Sequence, residues 1–283
     1  MELVISQEHK YRYDENSGIG GKPVYKAFDE NLKRYVLLKI VTIQGDNPKD
    51  IKENFNHAMG EVRTLVKLEE QRLNIPVIYN TFQKENNLFI VMQWIDGYTL
   101  DEWVKKASKP QIIKCIVALC NILVAMERVK INHLDIKPEN IIVRDNTLYL
   151  IDFNISRELP RNNQGTVGYC APEMTDKLKV VDRSRSDVFS IGVVLYEIYT
   201  GARPESGVDY SQGGLLRRGD GRNWKKFIEP KKKDGSVDET INDIIVKCMK
   251  LSPKDRYGIR ELQYALNNYA KSLGRNVQNG RKR

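Results

Sequence analysis

Two polar stretches, His133-Leu134-Asp135-Ile136-Lys137-Pro138-Glu139-Asn140 and Asp152-Phe153-Asn154, lie on either side of a short hairpin signal. The signal consists of two apolar, β-rich runs, Ile141–Val143 and Leu148–Ile151, joined through Asp145-Asn146, a pair that favours a tight turn. The hairpin interrupts a largely helical part of the chain. The sequence therefore predicts two polar loops, held by one hairpin, as the place where chemistry occurs.

These two loops carry groups that can accept a proton or bind a metal ion. They are the carboxylates of Asp135 and Asp152 and the amide of Asn140. Because turns commonly contain Asp and Asn, one motif taken alone is equally well explained by a surface turn without chemistry.

The composition is that of a globular protein. The chain has 283 residues, of which 41% are hydrophobic and 29% charged, so it can bury one large core or two modest ones. The longest apolar stretch, Ile112–Met126, contains Lys114 and Asn121 and is shorter than the roughly 20 residues of a bilayer span. We therefore expect no membrane segment, and the absence of a signal-like N-terminus predicts a cytoplasmic protein.

The net charge of +9 is concentrated in two segments. Residues 217–233 carry eight basic and two acidic side chains, and residues 275–283 carry four basic side chains and no acid. Neither segment has a recognised nucleic-acid reader motif, so nucleic-acid binding is not expected. Two alternatives stay open for 217–233: a solvated surface, or a patch that favours acidic protein substrates.

The pattern of the chain changes at Asp96-Gly97. Before that point, β-rich runs predict five strands at Tyr11–Glu15, Val24–Asp29, Arg34–Val41, Val77–Phe82 and Leu88–Gln93. One helix should begin at the cap Asn47-Pro48. After that point, a capping box from Thr99 to Glu102 opens a mostly helical part, with helices predicted at 99–107, 110–130, 185–200, 238–250 and 259–272.

The order of these motifs resembles the eukaryotic-like, or Hanks-type, serine/threonine protein kinase family. Asp135 and Asn140 are separated as in that family's H-R-D-x-x-x-x-N loop, and Asp152-Phe153 stands in the place of D-F-G. Ala171-Pro172-Glu173 resembles the end of the family's activation segment. The resemblance covers about residues 11–270, and the compact length makes the chain look similar to a stand-alone bacterial or phage-type member.

The resemblance implies catalytic roles for five residues. Lys39, in the third predicted strand, would hold the α- and β-phosphates of ATP, and Glu61 would pair with Lys39. Asp135 would orient the substrate hydroxyl, and Lys137 would neutralise charge on the transferring group. Thr166 would contact both Asp135 and Lys137. Lys137 is also the variant of this loop that serine/threonine kinases carry.

The resemblance further implies binding and structural positions. The nucleotide would contact Gly18, Ile19, Gly20, Gly21, Val24, Lys39, the gatekeeper Met92 and the hinge residues Gln93, Trp94 and Ile95. Asn140 and Asp152 would bind Mg²⁺, or Mn²⁺ in its place. The structural positions would be His133, Phe153, Glu173, Asp187 and Arg256, and Glu173 should form a buried ion pair with Arg256.

Three residues depart from the family pattern. Pro23 replaces the third glycine of the glycine-rich loop and removes a backbone donor. Asn154 replaces the glycine of D-F-G, although Asn tolerates positive φ better than most residues. Leu134 replaces the arginine of H-R-D, so the catalytic loop has no arginine there to gather an activation-loop phosphate. We therefore expect a kinase that is active as synthesised.

The expected fold is α+β and two-lobed. A small antiparallel-sheet N-lobe with one helix would span residues 1–92, a hinge 93–96, a larger, mainly helical C-lobe 97–272 and a basic tail 273–283. The expected reaction transfers the γ-phosphate of ATP to Ser or Thr hydroxyls of protein substrates. A pseudokinase scaffold that binds nucleotide is one alternative, and a small-molecule phosphotransferase is another. The sequence does not predict the oligomeric state or the physiological substrate.

Overall fold

The computed structural model describes residues 2–6, 9–153, 166, 168–174, 183–204 and 228–280, with backbone alone for 275–280. The chain divides into two compact units, Met1–Asp96 and Gly97–Arg283. The division falls where the sequence analysis places the end of the hinge. Asn154, residues 217–227 of the basic segment 217–233 and residues 281–283 of the basic tail lie outside the described part of the chain.

The N-terminal unit is built on an antiparallel sheet of six strands in the spatial order β1-β2-β3-β4-β6-β5. The strands are β1 Glu2–Ile5, β2 Lys10–Tyr13, β3 Val24–Asp29, β4 Arg34–Thr42, β5 Ile78–Lys84 and β6 Asn87–Gln93. The prediction of five strands was wrong because it omitted β1. Only Val4 of that strand is buried, and four residues are too few to show a clear alternation.

Side-chain alternation divides the residues of this sheet between its two faces. On one face, Leu88, Ile90 and Met92 of β6 pack in a core with α1, Pro48–Glu69. Helix α1 begins as predicted, because Asn47 Oδ1 accepts the N–H groups of Lys49 and Asp50, each at 3.0 Å. The other face of the sheet packs a second core that includes Tyr11, Ala27, Val36, Leu38, Phe89 and Val91.

The C-terminal unit is mainly helical. Its helices are α2 Leu100–Trp103, α3 Lys109–Arg128, α4 Ser186–Thr200, α5 Pro230–Lys233, α6 Glu239–Cys248 and α7 Ile259–Gly280. Helix α2 has the predicted capping box but ends earlier than predicted, because Lys106 N–H bonds the carbonyl of Trp103 in a tighter turn. Helix α7 continues eight residues further than predicted, since Gly274 inside it costs only about 1 kcal/mol relative to alanine.

A three-stranded sheet of β7 Tyr98–Thr99, β8 Ile141–Arg144 and β9 Thr147–Leu150 carries the predicted hairpin. Asp145 and Asn146 have φ of 50° and 61°, so both central turn residues are left-handed, as a tight hairpin turn requires. Ile141 pairs with Leu150 in the register this turn sets. The hairpin prediction is confirmed, and the loops before β8 and after β9 leave the sheet at the same end.

Helix α3 has the length and the apolar composition of a membrane span, and it is the one helix in the described residues that does. Ten of its 20 side chains are buried inside the C-terminal unit. Burial in a protein core selects the same apolar residues as a bilayer does. The core position of α3 therefore accounts for its composition, and the cytoplasmic location stays a prediction.

Candidate active site

The carboxylate of Asp135 accepts hydrogen bonds from three side chains and one backbone N–H. Thr166 donates its N–H (3.0 Å) and its hydroxyl (2.6 Å) to Oδ1. Asn140 Nδ2 and Lys137 Nζ each lie 3.0 Å from Oδ2. Four donors fix the plane of the carboxylate before any substrate binds, which is the preorganisation that a reacting group needs.

The ammonium of Lys137 contacts both Asp135 and Thr166. It donates to Thr166 Oγ1 at 2.6 Å and lies 3.0 Å from Asp135 Oδ2. Burial by itself would raise the pKa of Asp135, but the Lys137 charge and the Thr166 hydroxyl outweigh it and leave the pKa lowered. Asp135 is therefore ionised at neutral pH. The predicted contact of Thr166 with both residues is present in the structure.

The ring of His133 supports the backbone of the loop. Its Nδ1 accepts the N–H of Asp135 at 3.3 Å, and its Nε2 lies 3.1 Å from the carbonyl oxygen of Ile151. Because Nδ1 is the acceptor of this pair, Nε2 is the nitrogen that donates to the Ile151 carbonyl. The ring of Phe153 is fully buried and packs edge to face on the His133 ring, with 4.9 Å between the ring centroids. His133 thereby ties the loop before β8 to the residues that follow β9.

Asp187, at the start of α4, holds the same loop from the other side. Its carboxylate accepts the N–H groups of His133 (2.8 Å) and Leu134 (2.7 Å). Leu134 has a φ of 68° and Asp152 a φ of 64°, both in the left-handed region that side chains disfavour. Backbone strain of this kind persists where surrounding contacts enforce it. The two bonds to Asp187 supply that enforcement at Leu134.

Asn140 and Asp152 are the two residues predicted to bind a metal ion through their side-chain oxygens. The Asn140 amide nitrogen donates to the carbonyl (2.9 Å) and carboxylate (3.0 Å) oxygens of Asp135, so its amide oxygen lies on the other side of the planar group. Ile151 N–H donates to the Asn140 carbonyl at 2.9 Å, and Asp152 follows directly. One carboxylate with one amide oxygen fits Mg²⁺, which proteins hold by few side chains together with phosphate oxygens.

Glu173 and Arg256 form the buried ion pair that the sequence analysis expects. Two parallel bonds of 2.6 and 2.7 Å join the guanidinium to the carboxylate, and Arg256 is 1% exposed. Ser186 Oγ also donates to Glu173 at 2.7 Å. The remaining Arg256 donors reach the carbonyls of Arg185, Lys250 and Leu251. Every bond that this buried charge needs is thus made inside the C-terminal unit.

The N-terminal unit contains a second predicted ion pair. Lys39 Nζ lies 2.6 Å from Glu61 Oε2, and the Glu61 side chain is 5% exposed. Lys39 lies on the same face of β4 as Leu37 and Val41, which pack on the α1 face of the sheet, and Glu61 lies on the buried face of α1. The two-residue period of the strand and the 3.6-residue period of the helix therefore place both charged side chains on the packed faces of β4 and α1. The pairing is confirmed.

The glycine-rich loop folds into two short 3₁₀ turns, Glu15–Ser17 and Ile19–Gly21. Gly20 and Gly21 have φ of 62° and 69°. The N–H groups of Gly21 and Lys22 donate to the carbonyls of Gly18 (3.4 Å) and Ile19 (3.2 Å). These two donors serve the loop itself, so the predicted phosphate contacts of this loop stay a prediction.

The predicted adenine-side residues lie at the end of β6. Met92 and Ile95 are buried, at 4% and 8% exposure, and Gln93 N–H donates to the carbonyl of Val77 at 2.8 Å. The indole N–H of Trp94 lies 3.3 Å from Asp96 Oδ1. Val24 is half-buried on β3. The gatekeeper and hinge assignments of these residues stay predictions.

Two polar residues of α4, Ser190 and Glu197, contact the chain near Thr166 and were missed by the sequence analysis. Ser190 Oγ donates to the carbonyl of Tyr169 at 2.9 Å, and Glu197 accepts the Tyr169 hydroxyl at 2.5 Å. Burial raises the pKa of Tyr169, and the bond to Glu197 adds to this rise. The signal was the spacing: Asp187, Ser190 and Glu197 share one face of an otherwise apolar helix.

Comparison with known proteins relates the chain to one family. Residues 11–265 match the protein kinase domain. A probable serine/threonine-protein kinase of Clostridium acetobutylicum is 27% identical over an alignment of 278 residues that covers 92% of this chain and 40% of the relative. A similar protein of Clostridium perfringens is 27% identical over 261 residues (88% and 36%). The mouse serine/threonine-protein kinase tousled-like 2 is 28% identical over 272 residues (87% and 37%). The chain thus spans about two-fifths of each relative's length.

Proposed function

The chain belongs to the protein kinase family, and we propose that it transfers the γ-phosphate of ATP to serine or threonine hydroxyls of protein substrates. The names of the relatives support this choice of acceptor. The observation that carries the proposal is the carboxylate of Asp135, ionised and fixed by Thr166, Lys137 and Asn140.

In the proposed reaction, Asp135 accepts a hydrogen bond from the substrate hydroxyl and takes up its proton as the oxygen attacks phosphorus. Its lowered pKa suits the orienting part of this task, because the carboxylate is ionised before substrate arrives. Lys137, held between Asp135 and Thr166, would neutralise charge that develops on the transferring group. Lys137 paired with a threonine is also the basis for proposing serine or threonine as the acceptor.

The phosphates of ATP would bind Lys39. Glu61 fixes the Lys39 ammonium at 2.6 Å, so the lysine is oriented without nucleotide. Asn140 and Asp152 would hold Mg²⁺, with Mn²⁺ as a second possible ion, through their side-chain oxygens. The ion, when bound, neutralises phosphate charge and orients the phosphate chain. The roles of the glycine-rich loop and of the hinge residues are proposed from the family pattern alone.

Replacing Thr166 should reduce turnover for a geometric reason. In Thr166→Ala the hydroxyl between Lys137 and Asp135 is lost, and we expect kcat to fall about ten- to hundredfold. Thr166→Ser keeps the hydroxyl and should retain most activity. Thr166→Glu should stay inactive, because its charge would repel Asp135. Steady-state assays of the three variants make the comparison.

The same position tests whether the kinase needs activation by phosphorylation. Since Leu134 replaces the arginine that would bind a loop phosphate, exhaustively dephosphorylated protein should show full turnover from the first cycles. Two results would contradict this expectation. One is a lag that shortens as autophosphorylation proceeds, and the other is activity recovered in Thr166→Glu.

The basic segment 217–233 is proposed to favour acidic substrates. In its described part, Lys231 pairs with Glu239, Lys232 lies 3.3 Å from Glu229, and Lys233 lies over the ring of Tyr196. These lysine side chains are 46% exposed at Lys231 and 70% at Lys232, and exposed pairs contribute little energy. The lysines are therefore able to exchange these partners for a substrate carboxylate.

Reversing the charge of Lys231, Lys232 and Lys233 should raise KM for an acidic protein and flatten its dependence on salt between about 50 and about 300 mM. A reversal of Lys254 and Lys271, two exposed lysines outside the segment, is the control and should leave both unchanged. Equal salt dependence in the wild type and the triple variant would show that the segment is only solvated surface.

A further inference from the structure

Tyr169 is held at two points by helix α4. The hydroxyl of Ser190 donates to its carbonyl oxygen at 2.9 Å, and Glu197 accepts its phenolic hydroxyl at 2.5 Å. Tyr169 is 5% exposed and Ser190 3% exposed, so water does not compete for these bonds. Ser190 and Glu197 are seven residues apart, two helical turns, and thus fix both the backbone and the side chain of one residue.

Tyr169 in turn shapes the position of Thr166. The Thr166 carbonyl accepts the N–H groups of Tyr169 and Cys170, each at 3.1 Å, which holds the backbone of Tyr169 and Cys170 against Thr166. The other side of Thr166 faces Asp135, to which it donates its N–H and its hydroxyl. A continuous series of hydrogen bonds therefore runs from Ser190 through Tyr169 and Thr166 to the reacting carboxylate.

We propose that Ser190 is a positioning residue for phosphotransfer, acting through Tyr169 to hold Thr166 against Asp135. The inference rests on the proposed kinase activity. Ser190 Oγ has a second acceptor in its own helix, the Ser186 carbonyl at 3.3 Å, but the bond to Tyr169 is shorter. Because α4 also carries Asp187, which holds the loop of Asp135, one helix face sets both partners of the Thr166–Asp135 contact.

Ser190→Ala separates this role from a role in folding. Alanine is a better helix former than serine, so the change removes the hydroxyl without weakening α4. We expect kcat for a protein substrate to fall about five- to tenfold, which is the effect of one lost hydrogen bond on a positioned group. The KM for ATP should not change, since Ser190 acts on the acceptor side. Ser272→Ala is the control, because Ser272 Oγ donates to the Tyr269 carbonyl at 2.8 Å far along α7.

The test is a double-mutant cycle of Ser190→Ala with Thr166→Ala, measured by kcat. If Ser190 acts through Thr166, its replacement should lower kcat in the wild type and change it by less than about twofold in Thr166→Ala. An equal loss in both backgrounds, or no loss in either, overturns the proposal. If Ser190→Ala unfolds at the assay temperature, Ser190→Cys replaces it in the same cycle and must show the same non-additivity, because cysteine keeps the size of the side chain but is a much weaker donor. A wild type that binds ATP but transfers no phosphate overturns the proposed function, and this inference with it.

Discussion

Asp135→Ala should abolish most phosphotransfer while ATP binds as in the wild type. We expect kcat to fall about 10²–10⁴-fold, the usual effect of removing a positioned acid–base group. The physical reason is that Asp135 acts on the substrate hydroxyl, and its contacts in the structure are to Thr166, Lys137 and Asn140. The rate of label transfer from ATP measures kcat, and nucleotide titrations with Mg²⁺ measure the affinity for ATP.

Asp152→Ala provides the contrast. It removes the proposed metal ligand, so affinity for ATP with Mg²⁺ and turnover should fall together, whereas affinity for ATP without metal should change little. Asp135→Asn keeps the size of the side chain and should be as inactive as Asp135→Ala, which excludes a packing defect. Wild-type turnover in Asp135→Ala would show that the catalytic loop has been wrongly assigned.

Arg256→Ala should lower the free energy of unfolding of the C-terminal unit by about 3–5 kcal/mol. The variant leaves Glu173 buried, at 7% exposure, with its charge uncompensated. It also removes the donors that satisfy the carbonyls of Lys250 and Leu251. Urea unfolding, followed by circular dichroism, measures the change.

Arg260→Ala is the matched control for this loss. Arg260 lies four residues from Arg256 and faces Glu127 at 3.5 Å, but the two side chains are 61% and 43% exposed. An exposed pair contributes about 0–1 kcal/mol, so the control should unfold near the wild-type midpoint. Glu173→Ala should resemble Arg256→Ala, since each strands the partner charge. Equal midpoints for Arg256→Ala and Arg260→Ala would contradict a stabilising role for the buried pair.

Features of the fold that depend on neighbouring residues could be predicted from the sequence. The turn at Asp145-Asn146 and the cap at Asn47 form from side chains a few positions apart, and both are present. Strand β1 was missed because four residues give no pattern, and its pairing with β2 is set by tertiary contact. The two 3₁₀ turns of the glycine-rich loop were also not predicted, because they depend on backbone hydrogen bonds that composition does not specify.

The candidate site divides in the same way. Asp135, Asn140 and Asp152 could be found because they lie in two short motifs, on either side of one hairpin, whose spacing matches the catalytic motifs of the family. The long-range contacts of Thr166 and of Glu173 came from family resemblance, since 31 and 83 residues separate each from its partner. Neither the local motifs nor the family resemblance identified a role for Ser190. A serine in an apolar helix does not show which carbonyl it will bind.

The proposed phosphotransfer is tested by incubating the protein with ATP labelled at the γ-phosphate, Mg²⁺ and mixed acidic and basic protein substrates. We expect label on protein serine or threonine, identified by phosphoamino acid analysis, and its loss in Asp135→Ala. Nucleotide binding without any transfer would contradict the proposed kinase activity and indicate a pseudokinase. Label found only on a small molecule would contradict it as well, and would indicate a phosphotransferase of another class.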